Sequence, residues 1–203
     1  VTVIDFNKVF IARREAPNVV GDGIHTVAEL IISKNSDPRR GETGQKYTTL
    51  HKIPMPSPYP LPRGEGDRRS GEGTTTDRAL LRAGLTLAHI PAVGDKIILH
   101  NKISIGSGGD IIEETPLLHP ENREMFRRAA RLFGVDLVGF DMIAEDLSKP
   151  YSEQACGIIE ANSIPMIDFH HYPSTGIAQN TAGVLWDEVL KKIKRWFAQF
   201  GVQ

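Results

Sequence analysis

Three residues of this chain join oxygen donors to strand-like surroundings: Asp141, Glu160 and Asn162. Asp141 lies in the apolar run VGFDMI (138–143), and Glu160 and Asn162 close the run CGIIEAN (156–162). A charge inside a buried strand is costly unless it is paired or bound to a metal. Glu160 and Asn162 are two apart, so on a regular strand they share a face. Asp141 would join them from a neighbouring strand. Two carboxylates and an amide oxygen on one sheet face suit a hard cation. Magnesium takes such ligands, keeps several waters and shares phosphate oxygens with its substrate. The same spacing also suits three polar residues at strand ends facing water.

The elements that must position this trio read as follows. Asp136–Ile143 and Cys156–Ala161 are the best strand candidates, and the polar connection 144–155 is short enough for an antiparallel pair. Val3–Phe6 and Val9–Ala12 read as two short strands with a turn at Asn7-Lys8. Thr26 and Glu29 have capping-box spacing and predict a helix from about Thr26 until Asp37-Pro38. Lys96–Asn101 reads as a strand with Ile97, Ile98 and Leu99 buried. His119-Pro120 opens a helix with Met125, Phe126, Ala129 and Phe133 on one face and Gly134 as its stop. The last helix is predicted over Thr181–Phe200, with Leu185, Val189, Ile193, Trp196 and Phe200 on one face and Lys191, Lys192, Lys194 and Arg195 solvated. Asp77–Ala83 predicts a short helix. Strands and helices mix, so the class is α+β or α/β. The organisation expected is one domain over 1–203, with its core at 1–53 and 77–203. Residues 54–76 are expected to form a disordered Pro/Gly-rich insertion: prolines alternate from Pro54 to Pro62 and Gly64, Gly66, Gly71 and Gly73 follow.

Composition bounds the partners. The 203 residues are 40% hydrophobic with a formal net charge of -1, which gives no basic field for nucleic acid. No apolar run reaches membrane-spanning length. Cys156 is the sole cysteine, so no internal disulfide forms, which fits a reducing compartment, most simply the cytoplasm. Cys156 reads as a small buried apolar residue. His170 and His171 are adjacent and cannot both turn to one metal from a strand. The first residue is Val1, in what reads as the middle of a strand, so a fragment or an N-terminally truncated product is expected.

The segment GIIEANSIPM (157–166) resembles the E-x-N-x-x-P signature of ATP-grasp ligases, and it follows VGFDMIAED (138–146) at that family's spacing. ARREAPNVVGDGIHTVAELI (12–31), Asn35, Asp37 to Gly41, Leu50 to Ile53, Ile90-Pro91-Ala92, Ser107 to Asp110, His170, Pro173 and Gly176 follow in the family order. The likeness is to the ATP-grasp modules of the bifunctional glutathione synthetase and cyanophycin synthetase type. It covers nearly everything outside the insertion.

The resemblance implies the C-terminal part of an ATP-grasp α+β fold, a mixed or antiparallel sheet flanked by helices. It implies ADP-forming carboxylate–amine ligation through an acyl phosphate, with ATP, a carboxylate and an amine or amino acid as substrates. Two magnesium ions, replaceable by manganese, would be held by Asp141, Glu160 and Asn162. Arg14, or its neighbour Arg13, would face phosphate or the acyl phosphate, where a guanidinium fork suits anionic oxygens. Lys102, Ser107, Gly108 and Gly109 would approach the nucleotide. Here the chain departs from the family, whose glycine loop follows an arginine and an asparagine: His100 and Lys102 stand there instead. That departure motivates a second expectation, a degenerate non-catalytic remnant that binds or builds. In the family the flap lysines and the substrate-binding region lie upstream of the segment matched here. The isolated chain is therefore expected to need an upstream partner region, and homo-oligomers are common in the family.

Overall fold

A computed structural model describes residues 1–42, 48–55 and 75–200. The insertion reading falls almost wholly on residues outside that set. In chain order the elements are β1 (Thr2–Ile4), β2 (Lys8–Phe10), β3 (Ala12–Glu15), β4 (Asn18–Val20), α1 (Val27–Asn35), β5 (Arg40–Gly41), β6 (Leu50–His51), α2 (Thr75–Arg82), β7 (Lys96–Ile98), β8 (Asp110–Glu113), α3 (Pro120–Phe133), β9 (Leu137–Ala144), β10 (Cys156–Asn162), α4 (Asp168–His171) and α5 (Thr181–Gln199). The fold is α+β. It divides into two compact units: Val1–Arg13 with the chain from Ile112 onward, and Arg14–Ile111.

In the first unit an antiparallel sheet runs in the order β10-β9-β1-β2. Val3 pairs with Val9 on one side and Val138 on the other. These residues and Phe140 share a face and pack on Phe126 and Ala130 of α3. The opposite face carries Thr2, Ile4, Leu137, Gly139 and Asp141, as alternation requires. The turn between β1 and β2 covers Asp5 to Asn7, with the Asn7 N–H on the Ile4 carbonyl (3.2 Å), so of the expected pair Asn7 lies in it and Lys8 opens β2. Asp5 and Phe6 have left-handed backbones (φ 49° and 56°), which composition alone does not signal because non-glycine residues seldom adopt them.

α3 starts and stops as its sequence dictates. His119 caps it through a bond from the Glu121 N–H, and Gly134 ends it with φ 66°. Phe133 is 60% exposed, yet its ring tilts against that of the buried Phe140 at a centroid distance of 5.8 Å, so the expected face packs inward with Phe133 at its rim. Within α3, the fully buried Asn122 ties the β9–β10 connection: its Nδ2 donates to the carbonyls of Leu147 (2.9 Å) and Lys149 (2.7 Å), and its Oδ1 accepts from the Tyr151 N–H (2.6 Å).

α5 differs from expectation. Leu185 and Val189 are half-buried, but Trp186, Ile193, Trp196, Phe197 and Phe200 are largely exposed. The Trp196 ring meets that of Phe197 edge-on (5.1 Å) and that of Phe200 at a tilt (4.8 Å). Lys192 is not simply solvated; it bridges Asp5 (2.9 Å) and Asp136 (2.6 Å). Cys156 is half-buried rather than buried.

The second unit holds the antiparallel pair β4–β7 and the short parallel pair β5–β6. Its core gathers Val19, Val27, Ile31, Ile53, Leu80 and Leu99. Thr26 and Glu29 form the reciprocal capping box on α1. Ile98 is 46% exposed, so β7 turns one apolar residue to solvent while Leu99 just after it is buried. Among the described residues no helix is long and apolar enough to cross a membrane.

Replacing Asn122 by alanine takes the acceptor from the Tyr151 N–H, while the Leu147 carbonyl keeps the His119 N–H (3.0 Å) and the Lys149 carbonyl keeps Gln154 Nε2 (3.1 Å). The Asn122→Ala protein is expected to lose about 1–3 kcal/mol of stability, read as a lower urea midpoint by circular dichroism.

Candidate metal and nucleotide site

The register of β9 on β10 decides how Asp141, Glu160 and Asn162 meet. Ile158 pairs with Met142, then a bulge at Ile159 adds one residue, and Glu160 pairs with Asp141 and Asn162 with Gly139. Met142 belongs to the α3 side of the sheet, so Ile158 does too. Without the bulge Glu160 would follow Ile158 onto that side, because residues two apart share a face. The extra residue re-aims the strand and sets Glu160 opposite Asp141, on the face of Thr2 and Ile4. Asn162 follows Glu160 on the same face. Directly opposed residues hold their Cβ atoms about 4.5–5.5 Å apart, a spacing that lets two carboxylates share one ion.

These donors are less buried than their apolar neighbours in sequence suggest. β10 is exposed from Gly157 through Ala161, and Asp141 and Asn162 are half-buried. The cost of desolvating a charge therefore does not explain Glu160; exposure instead leaves room for water and phosphate in the shell of a cation. Among the described residues no group of three or more His, Cys, Asp or Glu side chains is arranged for a metal. The set here has two carboxylates, with an amide as its third donor, which is the chemistry of magnesium rather than zinc. Past Asn162 the chain turns at Pro165, which lies directly over Gly139: a Cβ there would come within 2.8 Å of the Pro165 Cβ.

The two arginines follow one another on β3 and leave it on opposite sides. Arg13 is half exposed and donates through Nε to Glu114 at 2.9 Å. Arg14 is exposed.

The glycine loop belongs to the second unit. Its amides are already used: the N–H groups of Ser107 and Gly109 donate to the Ser104 carbonyl (3.3 and 3.1 Å), and that of Gly108 to Ile105 (3.0 Å). The two glycines are demanded by packing. Gly108 has φ 90°, and a Cβ on it would lie 2.6 Å from the Ile53 Cα; one on Gly109 would lie 2.6 Å from the Glu15 carbonyl oxygen. Lys102 is exposed, and its backbone N–H donates to Nδ1 of the buried His100 at 2.8 Å.

Sequence reasoning missed the charge cluster beneath this loop. The buried Asp110 receives Arg40 on Oδ1 and Lys34 (2.5 Å) and Asn18 (3.3 Å) on Oδ2. Arg40 also donates to the carbonyls of His51 (2.8 Å) and Gly108 (3.2 Å). Burial lowers the pKa of Lys34, and Asp110 pulls it back up. The four side chains come from positions 18, 34, 40 and 110, a separation that no local motif reveals. Glu113 and His170 form a second buried pair, in the first unit, at 2.7 Å. His171 faces elsewhere, its Nε2 accepting from the Ala182 N–H at 3.0 Å at the start of α5.

No protein-family model matches the chain. The chain is 35% identical over 187 residues to the cyanophycin synthetase of Nostoc sp. strain PCC 7120, covering 92% of this chain and 19% of that protein. It is 32% identical over 183 residues to the glutathione biosynthesis bifunctional protein GshAB of Mannheimia succiniciproducens, covering 87% of this chain and 22% of that protein. The crystal structure of a bifunctional glutathione synthetase from Pasteurella multocida superposes with a TM-score of 0.78 at 29% identity, over 94% of this chain and 24% of that one. The chain is an ATP-grasp homologue of these synthetases. It spans about a fifth of the length of the curated relatives it matches. The α+β fold of this ATP-grasp homologue, antiparallel sheets flanked by helices, agrees with that likeness.

Within the ATP-grasp homologue, Asp110 holds two cations. Asp110→Asn would take from Arg40, with 2% of its side chain exposed, the carboxylate it is bonded to. Breaking one side of a buried pair costs about 3–5 kcal/mol, so this variant is expected to melt well below the unmodified chain by circular dichroism, with the loss borne by the second unit in amide exchange.

Proposed function

We propose that this chain is the metal-binding part of an ADP-forming carboxylate–amine ligase that works through an acyl phosphate, as its kinship with two ATP-dependent synthetases suggests. The single observation that supports this most is the opposition of Asp141 and Glu160 across the β9–β10 ladder, with Asn162 two residues on. The donor set fits magnesium: three hard oxygens on one sheet face, Glu160 exposed and Asp141 and Asn162 half-buried. Bound there, magnesium would neutralise phosphate oxygens as charge develops on them. Asp141 and Glu160 supply the negative charge and Asn162 a neutral oxygen that orients without adding charge. Arg14 or Arg13 would meet the anionic oxygens of phosphate or acyl phosphate. For Arg13 this requires exchanging Glu114 for the substrate. Lys102 would contribute a mobile positive charge to the nucleotide. The acid, the amine, a cytoplasmic location and a homo-oligomeric state belong to the same proposal.

A second reading is a non-catalytic remnant that binds or builds. It is favoured by the glycine loop, whose three amides are turned inward, and by His100 and Lys102 in place of the family's arginine and asparagine.

Manganese added with ATP to the isotopically labelled chain separates the two. The ligase reading expects paramagnetic broadening centred on Asp141, Glu160 and Asn162. Since Glu160 is exposed, Glu160→Ala should leave the circular dichroism melt unchanged and weaken manganese binding by about 100-fold, at least the loss that outer-shell changes cause. Broadening that ignores these three residues would leave the remnant reading in possession.

A further inference from the structure

We propose that His170 is a positioning residue: held by Glu113, it fixes the row of the sheet that carries Asn162. The link to metal binding rests on the assignment of Asn162 above; the link to the row rests on geometry alone.

The row runs straight across four strands. Phe10 pairs with Thr2, Thr2 with Gly139 and Gly139 with Asn162. After β10 the chain turns back and covers the same row one strand at a time. Pro165 lies over Gly139, close enough to exclude any side chain there. His170 then reaches Thr2, its Nε2 at 3.0 Å from the Thr2 Oγ1, and its ring tilts against that of Phe10 at a centroid distance of 5.7 Å. Asn162 and His170 are thus two ends of one short segment, and both are fastened to one line of the sheet.

The far side of the imidazole is held as firmly. Its Nδ1 meets Glu113 Oε2 at 2.7 Å, and the other oxygen of Glu113 accepts the Thr115 N–H at 3.0 Å. With Nδ1 on Glu113 and Nε2 on Thr2, the ring plane is set from both sides. Glu113 has 0% and His170 3% of its side chain exposed, so neither can turn to water instead. The His170 carbonyl also accepts from the Gln179 N–H at 2.8 Å.

Thr2 is the informative partner. At a buried strand position facing a ring, valine would fill the same volume and suit the strand equally well. The hydroxyl adds direction rather than burial, and its direction is toward His170. Glu113, His170 and Thr2 therefore form a line of contacts ending on the row whose outer member is Asn162.

Thr2→Val removes the hydroxyl and keeps the shape; Thr2→Ser keeps the hydroxyl. His170→Ala would strand the Glu113 carboxylate in the core and is expected to disrupt the fold, so the threonine pair carries the test. Hydrogen exchange, which needs no metal, should run about tenfold faster at Gly139 and Asn162 in Thr2→Val, with the Cys156–Ile158 end of β10 unchanged and Thr2→Ser like the unmodified chain. Manganese broadening at Asp141, Glu160 and Asn162 should need about tenfold more metal in Thr2→Val, within the range for outer-shell partners, and no more in Thr2→Ser. Exchange at Gly139 and Asn162 that is unaltered in Thr2→Val, or faster uniformly across the first unit, would overturn the positioning role. Absence of broadening in the unmodified chain would remove the proposed metal site instead, and the exchange data would still decide on His170.

Discussion

The pairing of β9 with β10, and the one surplus residue within it, is the constraint on which the candidate site depends. Ile158 and Ala161 lie on the α3 side of the sheet, while Glu160 and Asn162 lie on the other, and only an irregularity between them permits both. Ladder hydrogen bonds on either side of Ile159 hold the surplus in place, so the chemistry of the site is set by backbone register before any side chain is chosen. Asn122 serves the same end from α3. By tying down the loop that joins the two strands, it keeps their ends from slipping past each other.

Away from the exposed donors, each unit is organised around a buried carboxylate. Asp110 gathers Arg40, Lys34 and Asn18; Glu113 gathers His170 and the Thr115 amide. Such groups are costly to enclose unless every lone pair finds a donor. Among the described residues no buried side-chain nitrogen or oxygen lacks a partner. The glycine loop is tied into the first of these networks through the Gly108 carbonyl, which accounts for its inward-turned amides and for glycines that no other residue could replace without moving Ile53 or Glu15.

What could be read in advance was local chemistry. The Thr26–Glu29 capping box, Pro120 and Gly134 at the ends of α3, and the β9–β10 pair all follow from neighbours in sequence. What could not be read depended on tertiary context. Asp5 and Phe6 hold left-handed backbones at a turn that composition places at Asn7-Lys8. The face of Glu160 depends on a bulge, and simple alternation reaches the right grouping of Glu160 with Asn162 without revealing why Ile158 is left out. Burial of Glu160 was inferred from apolar neighbours that turn out to be exposed themselves, Ile159 at 65% among them. The Asp110 cluster draws on four distant positions, and the apolar stripe of α5 reads as a packed face because period alone does not say whether anything lies opposite it.

That stripe has a practical consequence. The chain has two tryptophans, Trp186 and Trp196, and both indoles lie on α5 with 63% and 56% of their surface open to water. An indole already in contact with solvent changes its surroundings little when the polypeptide comes apart. Intrinsic fluorescence of this molecule therefore reports on one helix and stays nearly silent about the sheet and both interiors, and the colour of its emission would sooner reveal something settling onto α5 than the loss of the fold.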